Sequence, residues 1–168
     1  MEGPVHPIGI ATGLAVSLAA FALAAAPTSA RRTAMCPHPG TINGVSVLID
    51  CGPAKATMRF RGASVKYANG LCQRNSSNFT LGFGAVLTGL SSKRPPDTFQ
   101  LIAGGGTHPA THDGVYSATL QLMRSGHGYV GETIKLTLTH KRGAGSFTGT
   151  VKATTTNATF PVSGSFTC

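Results

Sequence analysis

YSATLQLMRSGHGYVGETIKLTLT, residues Tyr116–Thr139, decides the fold class. Tyr116, Ala118, Leu120 and Leu122 alternate with Ser117, Thr119 and Gln121. Further on, Ile134, Leu136 and Leu138 alternate with Lys135, Thr137 and Thr139. A period of two places apolar side chains on one face and polar ones on the other, which is the pattern of a half-buried strand. Between the two runs, Ser125-Gly-His-Gly reads as an exposed turn that carries His127.

The same alternation extends through the chain. It appears at Val45, Val47, Ile49 and Cys51, at Met58 and Phe60, at Val65 and Tyr67, and at Phe79, Leu81 and Phe83. It returns at Phe147, Gly149 and Val151, then at Phe160, Val162, Gly164, Phe166 and Cys168. Turn chemistry punctuates these runs at Asn69-Gly70, Pro95-Pro96-Asp97, Asp113-Gly114 and Gly143-Ala144-Gly145. Helical periodicity is absent, and Gly, Thr, Ser and Val are abundant. The reading is all-β, an antiparallel β-sandwich or flattened barrel of about eight or nine short strands, with the last two runs forming a hairpin. Arg31–Gly40, with two prolines, and Ala103–Asp113, with three glycines and Pro109, read as long exposed loops.

A different composition precedes this domain. Ile8–Ala26 is apolar and uncharged, and Ala-Pro-Thr-Ser-Ala ends at Ala30. Thr28 and Ala30 are small residues at the −3 and −1 positions of a signal-peptidase site. The expectation is a signal helix in residues 1–30, a flexible segment at 31–42, and the β-domain at 43–168. Met1–Pro7 lacks Lys and Arg, so the competing reading retains the apolar helix as a membrane tether, with Arg31 and Arg32 on the inner side. Cys36 follows Met35 and two arginines, not small residues, which argues against a lipid anchor. The expected location is secreted or envelope-bound.

The chain holds 14 Lys and Arg against five Asp and Glu, a formal charge of +9. Without Glu2 the acids are Asp50, Asp97, Asp113 and Glu132. Such a balance favours anionic partners, an envelope polymer, lipid or host surface. The basic residues are scattered, with pairs at Arg31-Arg32, Lys93-Arg94 and Lys141-Arg142. No basic stripe with interleaved aromatics marks a nucleic-acid module. An apolar pocket for lipid inside the fold would also suit an envelope protein.

Export permits disulfides, and four cysteines allow three pairings. Cys36 and Cys51 flank one short segment, while Cys72 and Cys168 are distant. The favoured pairing is Cys36–Cys51 with Cys72–Cys168. The second bridge would close a loop worth about 4 kcal/mol in the chain-entropy model. No Cys-x-x-Cys pair suggests zinc. His108, His112 and Asp113 have metal-like spacing, but Pro109 and the glycines oppose the helix that would align the rings. They define the alternative function, a small exported metal-dependent hydrolase. No Gly-x-Ser-x-Gly elbow, paired carboxylates or phosphate loop is present. The expectation is a non-enzymatic protein without cofactor or metal.

Residues 56–168 resemble the mycobacterial 19-kDa lipoprotein antigen family. The resemblance lies in Gly70-Leu-Cys-Gln-Arg-Asn-Ser-Ser-Asn-Phe-Thr-Leu-Gly-Phe-Gly, Ala85-Val-Leu-Thr and Pro95-Pro96. It continues in Ser146-Phe-Thr-Gly-Thr-Val-Lys-Ala and Pro161-Val-Ser-Gly-Ser-Phe-Thr-Cys. It implies a β-rich, non-enzymatic envelope protein of the actinobacterial type, antigen-like and in contact with host cells, and again a Cys72–Cys168 bridge. This chain departs from the family in lacking a lipobox, in adding Cys36 and Cys51, and in its basic balance.

Overall fold

A computed structural model describes residues 36–42, 44–88, 96–105 and 107–168. The expected signal helix, residues 1–30, lies outside the described residues. The described residues form ten strands: β1 (His38–Ile42), β2 (Val45–Ile49), β3 (Ala54–Phe60), β4 (Ala63–Arg74), β5 (Asn78–Leu87), β6 (Thr98–Gly104), β7 (Gly114–Arg124), β8 (His127–Thr139), β9 (Ala144–Ala153) and β10 (Thr159–Thr167). The strand order is β1-β2-β5-β4-β3-β10-β9-β8-β7-β6, every pair is antiparallel, and β5 also pairs with β6. That last pairing, Asn78–Gly84 against Thr98–Gly104, closes β3–β10 into an eight-stranded barrel. Between the two architectures expected from sequence, the barrel is the one adopted.

The β1–β2 hairpin sits outside the closed wall. Besides its pairing with β1, β2 joins the barrel through Ala85, Val86 and Leu87, the continuation of β5 past the point where β6 leaves it. The change of partner falls at Gly84, where φ is +90° and an added Cβ would strike the Asp97 carbonyl, so glycine suits the divergence. Val45, Val47 and Ala85 form a second small buried cluster there.

Two strands were not among those read from alternation. β6 buries Phe99, Leu101 and Ala103 at period two, so its signal was present in plain view. β1 contains Pro39 and Gly40 and lies within the segment expected to be flexible. A proline is tolerated there because β1 is an edge strand with a partner on one side only. Asn69-Gly70, expected as a turn, is instead an irregularity inside β4. Asn69 has φ 59°, and the register shifts between Ala54↔Gly70 and Ala56↔Tyr67. This bulge inverts the side-chain parity of β4: Val65 and Tyr67 turn inward before it, Gly70 and Cys72 after it.

Eight strands enclose a space that side chains can fill. Phe83 stacks on Phe99 at 5.7 Å, Phe79 on Phe166 at 5.4 Å, and Tyr67 touches both Phe83 and Phe99. Met58, Leu81, Leu101, Leu120, Ile134 and Leu136 are fully buried around them. At the inward position Gly145, an added Cβ would lie 2.6 Å from the Phe166 ring, so the small residue makes room for the large one. Among the described residues, the inward side chains thus form a core of aromatic and aliphatic groups. Burying a ring such as Phe99 contributes about 3 kcal/mol.

Candidate anion-binding face

The register places outward residues of four barrel strands in straight rows. Arg59 of β3 faces Ser163 of β10, Ser163 faces Thr148 of β9, and Thr148 faces Lys135 of β8. The next row runs Thr57, Ser165, Ser146, Thr137. Neighbouring strands lie about 4.8 Å apart, so Arg59 and Lys135 stand roughly 14 Å apart on the backbone, with two rows of short hydroxyls between and beside them. Lys66 of β4 extends the second row beyond Thr57.

These rows floor an open groove of about 560 Å³ lined by Arg59, Lys135 and the hydroxyl residues. A second groove of similar volume adjoins it, shares Thr57 and Ser165, and carries Lys55 and Lys66. None of Asp50, Asp97, Asp113 or Glu132 lines either groove. The face thus presents four cations and a dense set of hydroxyl donors and acceptors. β-branched threonine suits a strand, and the outward positions carry it without disturbing the core.

The carboxylates have other roles. Asp113 accepts hydrogen bonds from the backbone N–H of Lys141 at 3.0 Å and of Arg142 at 2.6 Å. Those bonds hold its carboxyl below the usual range, the Arg142 amide being the larger cause. They also hold a turn in which His140, Lys141 and Arg142 all have positive φ, 55–61°, each costing about 1–2 kcal/mol for an L-residue. The Arg142 guanidinium turns back over this end of the barrel and donates to the carbonyls of Asn75, Asn78 and Ala110 at 3.0–3.4 Å. Ala110 is fully buried and its N–H donates to Ser77. The 103–113 stretch, expected as a flexible loop, is therefore pinned in its middle. Burial pushes the Asp50 carboxyl up, and Asp50 packs against the bare backbone of Gly82.

The structure contains disulfides Cys36–Cys51 and Cys72–Cys168, with Cα separations of 5.6 and 5.7 Å. The first ties the segment just before β1 to the segment just after β2. The second joins β4 to β10 at the end of the barrel held by Arg142, where the Cys168 N–H also donates to the Gly143 carbonyl.

The alternative metal site is not assembled. Among the described residues, no group of three His, Cys, Asp or Glu side chains could hold a metal. His108 Nδ1 is 2.9 Å from Thr107 Oγ1, His112 Nδ1 is 3.3 Å from Thr111 Oγ1, and Asp113 is engaged by two amides. His127 and His140 are exposed. Sequence reasoning missed both the role of Arg142 and the ordered rows of the outer face. The rows carry a faint signal, outward Thr, Ser and Lys in four alternating runs, while Arg142 carries none. Comparison with known proteins found no matching family model, no matching curated protein and no matching solved structure.

Proposed function

We propose that this protein is an exported, disulfide-stabilised binding module, not an enzyme, that works in the envelope or the medium and docks an anionic polymer on the outer face of the barrel. Kinship with the 19-kDa lipoprotein antigen family and cleavage after Ala30 belong to the same reading. The observation that carries it is the pair of hydroxyl rows flanked by Arg59, Lys135, Lys55 and Lys66 with no lining carboxylate. A carboxylated polysaccharide matches both features, since its acid groups meet the cations and its hydroxyls meet the Ser and Thr rows. Two disulfides suit an oxidising compartment.

Binding to immobilised polygalacturonate, with neutral dextran as control, tests the reading. Saturable binding at low salt that weakens as salt rises is expected. Arg59→Ala with Lys135→Ala should weaken it roughly tenfold, the equivalent of two screened surface contacts. Equal retention on dextran and polygalacturonate, or a double variant that binds like the parent, overturns it.

A further inference from the structure

At the barrel end opposite Arg142, two hairpin turns meet. Arg61-Gly62 joins β3 to β4 and has φ of 50° and 78°. Ser125-Gly126 joins β7 to β8 and has φ of 54° and 80°. Paired left-handed residues in a two-residue hairpin favour Asn or Asp before Gly. Here Arg and Ser occupy that first position, against local preference. Both turns line the same small cavity of about 140 Å³, together with Arg124, His127 and Tyr129.

The cavity is built rather than incidental. The Arg61 guanidinium lies 4.9 Å over the Phe160 ring and donates to Tyr129 Oη at 3.3 Å. Phe60, Tyr129 and Phe160 meet edge to face beneath it. The second guanidinium-bearing residue, Arg124, lines the cavity from the last position of β7. The carboxylate of this end, Asp97, does not line the cavity and accepts from the Ser125 N–H at 2.7 Å, which holds the turn. Two arginines, Arg61 held on Tyr129 and Phe160, with an imidazole, a serine and a phenol, thus surround a space of a few water volumes, at roughly 30 Å³ each. The space is below the size of a drug-like ligand site. It fits one tetrahedral oxyanion, for which planar guanidinium forks are the strongest side-chain partners.

We infer that the cavity between the Arg61-Gly62 and Ser125-Gly126 turns, with Arg61, Arg124 and His127 around it, binds a phosphate group. The ligand is a free phosphate or the phosphate terminus of a larger molecule, and the site is separate from the outer face.

The test is titration of the full, oxidised, ¹⁵N-labelled protein with inorganic phosphate at constant ionic strength, reading the amides of Gly62, Ser125 and Gly126. A saturable shift confined to the two turns is expected. Arg124→Gln should weaken it roughly tenfold or more. Arg61→Asn should do the same while unfolding at the same or a higher temperature, because Asn is at ease in the left-handed position; a loss of binding in that variant is then not a loss of fold. Lys135→Ala should keep phosphate binding, so failure of the polymer reading and failure of this one are distinguishable. Glucose 6-phosphate and phosphatidic acid vesicles, run in parallel, separate a soluble ester from a lipid headgroup. A response to inorganic phosphate alone assigns the free ion. Absence of saturation with all three, or both arginine variants binding like the parent, overturns the inference.

Discussion

Both ends of this barrel concentrate arginine, and they use it in opposite ways. At the Arg142 end, one guanidinium is directed inward onto three backbone carbonyls, beside a carboxylate that holds two backbone amides and a disulfide that joins β4 to β10. At the Arg61 end, the Arg61 guanidinium rests on Phe160 and Tyr129, and Arg61 and Arg124 both line a cavity. Both ends hold residues in left-handed backbone conformations. At the first the cost is offset by Asp113 and Arg142. At the second Asp97 holds only the Ser125 turn, and Arg61 takes a conformation that Asn would take more easily. Strain offset locally marks a structural device, whereas strain that places a cation at a cavity points to a ligand.

The sharpest way to break the comparison is to cut the bridge of the braced end. Cys72→Ala with Cys168→Ala removes a cross-link of sequence separation 96. It should cost about 4 kcal/mol of stability by the chain-entropy argument, measured by denaturant unfolding. Phosphate-induced shifts at the other end should persist under native conditions. An unfolding midpoint equal to that of the parent would show that the bridge adds nothing to the braced end.

Arg142→Met should be the next largest, about 2 kcal/mol, because three carbonyls lose a charged donor. Amide exchange should quicken at Ala110, Gly143 and Cys168 first. If exchange instead quickens uniformly, the end is not a separate structural unit.

Asp113→Asn sharpens the comparison through pH. The carboxyl of Asp113 is held below its ordinary value of 3.8. Its stabilisation is therefore complete above that value and is lost as pH falls through the depressed folded value. The parent should exceed the variant in melting temperature at neutral pH, and the gap should close only in strong acid. A gap independent of pH would assign the effect to packing.

Arg61→Asn is the smallest change and opposite in sign. It should raise stability by up to about 1 kcal/mol, because it places Asn where Arg takes a left-handed conformation. A variant that melts below the parent would mean that Arg61 braces its end as Arg142 does.

Much of the wall was legible from residue order. Inward Leu120, Ile134 and Phe147 and outward Thr148 and Lys135 follow from alternation alone. Alternation failed at His38–Ile42, where an edge position tolerates proline, and at Asn69-Gly70, where a turn signal inside a long strand became a bulge. The outer face was legible only as scattered hydroxyls and single cations. Its rows exist because registers between β3, β10, β9 and β8 align residues as distant in the chain as Arg59 and Ser163, or Thr57 and Ser165.

The sequence by itself determined the strand class, the inward and outward sets and the polarity of the surface, because those depend on a period of two that each segment carries within itself. Only the tertiary structure decided closure into a barrel, the parity change that points Cys72 toward Cys168, the anchoring role of Arg142, and the meeting of Arg61 with Arg124. Each of these depends on which strands pair and in what register. That choice is made by the whole set of core side chains and bulges acting together, and no single segment contains it.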